Sequence, residues 1–215
     1  MPAPPVPLTR SGGPSYSAPV VAAGRVVILN GTSSAGKSTI LQMFCAARAS
    51  VGDLWIPIGT DDFNAKLPEQ WFSAGDFEGP YCRDGVRLEP AAGGVQVRVG
   101  DVGRRLQSAY HRTVAAVAKV GFNVIVDDVA IDQADVLDWE EALDGLRVDW
   151  VAVRCDALVA QAREQARRDR YPGLALGLSE IVHRYAQYDL ELDTTQSGPE
   201  DSCARLIAMV AASGL

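Results

Sequence analysis

The chain has 215 residues, 47% hydrophobic and 22% charged, which is enough apolar mass for one full core and leaves a second unit only as an insertion. A formal net charge of −7 and the lack of a local basic patch exclude a broad nucleic-acid-binding surface. Cysteines 45, 82, 155 and 203 form no CxxC pair, so the sequence points away from a zinc site or a disulfide framework and towards a reduced, cytoplasmic protein.

Residues 1–23 hold six of the twelve prolines and lack the basic start and continuous apolar block of a secretory signal. They read as a disordered leader ahead of one domain spanning 24–215. No later apolar run approaches the ~20 residues of a membrane helix. From Arg25 onward, short β-branched runs alternate with longer Ala/Leu/Arg segments, the α/β pattern of a parallel sheet flanked by helices. Strands are expected at 25–30, 54–59, 123–129, 148–155 and 189–194. Helices are expected at about 37–49, 101–120, 134–145, 156–169, 174–187 and 199–212. Within an insertion expected at about 66–100 the pattern breaks from residue 71, and "GVRLEP" and "GVQVRVG" alternate with period two around "AAGG". That stretch predicts a small β-hairpin, near 85–99, inserted beside the main sheet.

The stretch "GTSSAGKST", residues 31–39, lies between the first strand and the first helix. Gly31 and Gly36 frame a G-x-x-x-x-G-K-S loop whose spacing and flanks match a P-loop. Gly31, Thr32, Ser33, Ser34, Ala35, Gly36, Lys37, Ser38 and Thr39 are therefore the expected nucleotide-binding set. The amides of 33–38 would surround a phosphate at the positive end of the helix. Lys37 is placed on the β- and γ-phosphates, Ser38 on Mg²⁺ and Thr39 near the α-phosphate.

"NVIVDD" ends in Asp127 and Asp128 at the C-terminal edge of a strand, where open α/β sheets bind ligands. Asp127 is the chosen Mg²⁺ contact, and Asp128 the lesser candidate. "GTDD" places Asp61 and Asp62 just past the second strand, where a carboxylate can accept an acceptor hydroxyl's proton. Either aspartate could instead cap the following helix, and spacing leaves both roles open. In "AREQARRDRYPG", Arg163, Arg167 and Arg170 follow i+4 and i+3 steps and share one face if the helix reaches residue 170. Pro172 and Gly173 then break it, predicting an arginine-bearing lid at about 163–175 that stabilises transferring phosphates; the competing reading pairs these arginines with Glu164 and Asp169 on a solvated face. His111 and His183 neighbour no carboxylate pattern of a metal or triad site and read as structural or surface groups. "DTT", 193–195, follows the last strand, as a lining of the adenine pocket or as an ordinary turn.

Taken together, "ILNGTSSAGKST", "GTDD", "NVIVDDV", "VAVRCD", "AREQARRDR" and "YDLELDTT" make the chain, from 25 to about 195, resemble the chloramphenicol phosphotransferases. These are P-loop kinases that phosphorylate a primary hydroxyl of the antibiotic with ATP. The resemblance implies a nucleotide/shikimate kinase-like sheet of order 2-3-1-4-5, ATP and Mg²⁺ as nucleotide and metal, a small-molecule alcohol as acceptor, and Asp61 as catalytic base. The stretch 66–84 would shape the acceptor pocket, with Trp71, Phe72, Phe77 and Tyr81 either walling it or covering the core beneath the hairpin. Neither nucleic acid nor membrane is an expected partner. A small-metabolite kinase acting on a sugar acid or nucleoside is the runner-up, and a non-catalytic nucleotide-binding module is the alternative of another class. A GTPase switch would carry an NKxD guanine reader, and the sequence has none.

Overall fold

Arg25–Asn30 forms β1, six residues that are all buried. An unalternating Val-Val-Ile-Leu run suits a strand covered on both faces. The computed structural model describes residues 21–75, 77–91, 93–167 and 171–212; residues 1–20 of the predicted leader and Arg170 of the predicted lid lie outside these. After β1 come α1 (Lys37–Ala49), β2 (Trp55–Gly59), α2 (Thr60–Asn64) and a 3₁₀ turn at Glu69–Trp71. The inserted segment supplies β3 (Phe72–Ala74), β4 (Phe77–Glu78), β5 (Val86–Ala91) and β6 (Gly94–Val99). The chain then returns through α3 (Asp101–Lys119), β7 (Asn123–Asp128), α4 (Gln133–Ala142) and β8 (Arg147–Arg154). It finishes with α5 (Ala157–Gln165), α6 (Leu174–Ser179), β9 (Leu190–Asp193) and α7 (Pro199–Ala212).

The main sheet has the order β2-β7-β1-β8-β9 with every pair parallel, which is the order 2-3-1-4-5 of the five predicted strands. Side chains alternate across it. Val27, Leu29, Ile125, Val151 and Val153 pack with Phe44 of α1 and Leu206 of α7, while Val26, Ile28, Val124 and Val126 pack with Tyr110 of α3 and Trp139 of α4. The result is three layers, helix-sheet-helix, with the loops that follow β1, β2, β7, β8 and β9 gathered at one edge.

The predicted hairpin is present as β5 and β6, but it belongs to a four-stranded sheet of order β4-β3-β5-β6. Strands of two and three residues are too short to print an alternation in sequence. Two helices are shorter than expected. The stretch predicted at 156–169 stops at Gln165, so Arg163 and Arg167 do not share a helical face; Arg167 has left the helix, its amide turning back 3.0 Å to the Glu164 carbonyl. The stretch predicted at 174–187 stops at Ser179, and beyond it the Val182 carbonyl accepts from Asn30 Nδ2 at 2.8 Å, drawn to β1. Among the described residues no helix is long and apolar enough to cross a membrane.

Candidate active site

The loop after β1 is shaped by backbone geometry first. Gly36 caps α1 with φ 96°, a left-handed conformation that other residues adopt at a cost. Thr194, just past β9, donates its hydroxyl to the Ala35 carbonyl at 2.7 Å and so fixes the loop's outer wall from the far side of the sheet. Lys37 is buried, with Nζ 2.8 Å from the Gly31 carbonyl and 2.9 Å from that of Thr32. The hydroxyls of Ser33 and Ser34 are buried without a hydrogen-bond partner. Leaving such groups unpaired costs about 1–3 kcal/mol each, and a phosphate oxygen in the loop is the partner that would satisfy them.

Asp127 stands opposite Leu29 of β1 and Gly59 of β2 in the strand register. Its Oδ2 accepts from the Ser38 hydroxyl at 2.6 Å, and its Oδ1 lies 3.6 Å from Lys37 Nζ. A hydroxyl and a carboxylate oxygen in contact at the mouth of a phosphate loop form a donor set suited to Mg²⁺. Asp128 points through the other face of the sheet. It is buried, accepts from Trp139 Nε1 at 2.9 Å, and has its pKa pushed up to about 7 by that burial. Asp127 and Asp128 thus divide into a cleft residue and a core residue.

The two aspartates after β2 divide in the same way. Asp62 Oδ2 accepts from the Gly59 amide at 2.8 Å, closing the first turn of α2, so Asp62 takes the cap. Asp61 occupies the preceding position on the helix, exposed at the rim of the cleft. Because Gly59 pairs with Asp127, Asp61 sits two residues beyond the level of the Ser38–Asp127 pair, on the adjacent strand's exit.

These groups line one cleft of about 710 Å³. Its floor is the loop from Ser33 to Thr39; Asp61, Asp62 and Asp127 stand on one side, and Arg163, Arg167 and Thr194 on another. Arg163 is anchored, Nη2 donating to the Thr194 carbonyl at 2.7 Å and Nη1 approaching the Thr194 hydroxyl at 3.3 Å. Apolar walls come from Val129, after β7, and from Leu174 and Leu178 of α6, residues that no motif singles out. The aromatics of the insertion do not line the cleft. Trp71 and Tyr81 pack on each other with ring centroids 5.0 Å apart, and Phe77 and Tyr81 are exposed. The segment after β9 does reach the cleft, through Thr194, Ser197 and Pro199.

His111 has a carboxylate partner that lies 27 residues away on the next helix, where local spacing cannot reveal it. Its Nδ1 meets Asp138 Oδ2 at 2.5 Å while the ring stacks on Trp139 at 3.9 Å. Burial outweighs the carboxylate and lowers its pKa to about 4, so the imidazole is neutral at physiological pH. His183 pairs with the Tyr188 hydroxyl at 2.9 Å and is likewise lowered to about 4, chiefly by burial. Both are structural groups.

The arrangement of loop, strand-end carboxylate and flanking arginines suits phosphate transfer, and a sequence model of the chloramphenicol phosphotransferase-like proteins matches residues 24–211. The chain belongs to that family. The "Putative O-phosphotransferase" of Mycobacterium tuberculosis strains CDC 1551 and H37Rv is 33% identical over 175 residues, 80% of this chain and 76% of the relative. Among solved structures, an APS kinase from Mycobacterium tuberculosis in complex with AMPPNP and APS superposes with a TM-score of 0.58 at 14% identity, covering 88% of this chain and 99% of that one. A sugar kinase from Janibacter gives 0.59 at 18% identity over 87% and 95%, and a gluconokinase from Sinorhizobium meliloti 0.54 at 16% over 91% and 99%. These likenesses establish the P-loop kinase fold. With the family match, they make this member of the chloramphenicol phosphotransferase-like family a phosphotransferase of the kinase type.

Proposed function

We propose that this protein is an ATP- and Mg²⁺-dependent O-phosphotransferase that phosphorylates a hydroxyl of a small molecule, with an antibiotic alcohol such as chloramphenicol as the leading acceptor class. The observation that carries this reading is the placement of Asp61 and the phosphate loop in one cleft, with Asp62 occupied as the cap of α2. On this reading the amides of 33–38, the two seryl hydroxyls and Lys37 bind the triphosphate. Ser38 and Asp127 hold Mg²⁺, which supplies charge neutralisation at the phosphates when bound. Asp61 orients the acceptor hydroxyl and takes its proton as the O–P bond forms, and Arg163 and Arg167 face the phosphates across the cleft. Proximity and charge placement then provide most of the rate, and no covalent enzyme intermediate is needed.

Val129, Leu174 and Leu178 favour an acceptor with an apolar body over a polyhydroxylated sugar acid. The four free cysteines accord with a reducing cytoplasm. The test is a mass-spectrometric screen of ATP and Mg²⁺ with a panel of hydroxylated antibiotics, sugar acids and nucleosides, seeking a product heavier by one phosphoryl group. Product from an apolar alcohol supports the proposal and product from a sugar acid or nucleoside alone rejects the acceptor class. Tight ATP binding without product from any alcohol makes the protein a nucleotide-binding module.

A further inference from the structure

Glu164 lies on α5 beside Arg163, and the competing reading of the sequence makes it a surface partner for the arginines. In the fold it is 2% exposed. Its two carboxylate oxygens reach across the turn to the start of α6. Oε2 accepts from the Gly173 amide at 2.7 Å and Oε1 from the Ala175 amide at 2.8 Å. The chain that leaves α5 after Gln165 carries Arg167 and returns at Leu174. Glu164 therefore clamps together the two ends of the segment that bears this arginine.

The element it grips is connected to the rest of the site on three sides. The Ala175 carbonyl accepts from the hydroxyl of Thr32, in the phosphate loop, at 2.8 Å, so one residue is tied to Glu164 by its amide and to the loop by its carbonyl. Toward the insertion, the Val95 amide of β6 donates to the Gly173 carbonyl at 2.9 Å. A Cβ at Gly177 would lie 1.7 Å from the Val95 carbonyl, so α6 sits on β6 at a distance that only glycine permits. The fourth side of α6 presents Leu174 and Leu178 to the cleft.

We infer that Glu164 is a positioning residue for phosphoryl transfer: by fixing α6 against the end of α5 it sets where Arg167 stands relative to the terminal phosphate held by the loop. The inference rests on the proposed nucleotide triphosphate occupancy of the cleft. A buried carboxylate that accepts two backbone amides is rigid, since releasing either leaves an unpaired polar group out of water. If Glu164 were only a staple of the fold, its loss would weaken all nucleotides alike. A residue that places Arg167 acts on the phosphate that distinguishes ATP from ADP.

The experiment compares binding of AMPPNP and ADP, each with Mg²⁺, to the full chain by calorimetry. Glutamine keeps the size of glutamate but offers one acceptor where two amides wait. Glu164→Gln is expected to lower AMPPNP affinity about tenfold while ADP affinity stays within about twofold. Arg167→Ala should show the same pattern, and the double variant should lose no more than either single one, as coupled residues do. Equal loss for both nucleotides, no loss for either, or full additivity with Arg167→Ala overturns the inference. If Glu164→Gln does not fold, Glu164→Asp, a carboxylate one methylene shorter that cannot span both amides, carries the same comparison. A parent protein that binds neither nucleotide refutes the proposed function itself, and shows this before any substitution is made.

Discussion

The two halves of the cleft are built on different principles. The phosphate half is a single loop between β1 and α1, closed by short contacts from Asp127 and Thr194 and backed by strands with fully buried side chains. The half that the proposed function gives to the acceptor is assembled from a five-residue helix, a residue after β7 and one face of a six-residue helix, with the inserted sheet behind them. The first half prescribes charge positions to within a hydrogen bond. The second offers apolar area whose shape depends on how α6 is seated. On the proposed function, the phosphate chemistry is thus the fixed part of the molecule, and acceptor selection is the adjustable part.

The contrast sharpens when each half is broken separately. On the proposed function Asp61→Asn removes the proton acceptor at the boundary of the halves, and turnover of an identified acceptor should fall by about 10²–10⁴-fold, with nucleotide affinity retained; steady-state kinetics beside calorimetry separate the two. Asp127→Asn acts on the phosphate half alone. The apparent affinity for Mg²⁺ should drop by about 10–100-fold, the range found when groups that orient metal ligands are lost, and kcat should recover in part at high Mg²⁺. Leu178→Ala acts on the other half. Leu178 is 1% exposed, so its truncation should cost about 2–5 kcal/mol of stability and raise the KM for the acceptor while leaving the KM for ATP nearly unchanged.

The smallest effect is expected far from the cleft. His111 has a folded pKa of about 4, lowered by burial from 6.5. Between those values the unfolded chain binds the proton and the folded one does not. Stability from this group is therefore full above about pH 6.5 and lost as pH falls through 4. At about 1.4 kcal/mol per pKa unit this amounts to roughly 3 kcal/mol at most. His111→Gln should have a lower Tm at neutral pH, through the lost stack on Trp139, yet a shallower fall in Tm from pH 6.5 to 4 than the parent shows. Parallel curves would remove the assignment.

The same division governs what the sequence reveals. Gly31 to Thr39 could be located because phosphate binding needs amides, a lysine and a hydroxyl at fixed spacing on contiguous residues. Asp127 emerges from the end of an apolar run for a similarly local reason. Spacing could not separate Asp61 from Asp62, since both stand at the start of α2, and it took the 2.8 Å bond from the Gly59 amide to assign the cap. The early end of α5 is invisible locally, because what turns the chain at Gln165 is a side chain whose partners, the amides of Gly173 and Ala175, lie nine and eleven residues on. Leu174, Leu178 and Val129 look like ordinary core residues; the packing of α6 on β6 brings the two leucines to the cleft, and the exit of β7 brings Val129. The aromatic residues of the insertion are the more conspicuous candidates for that wall, and they do not line the cleft.

The bond from Thr194 to the Ala35 carbonyl joins residues 159 positions apart, and this bears on how the protein is born. At about 5–20 residues per second, a ribosome needs on the order of ten seconds between making the loop and making the threonine that closes it. During that interval the nascent chain carries a phosphate loop with its outer wall missing, so a bound nucleotide can add to the stability of the molecule only once synthesis has passed the last strand.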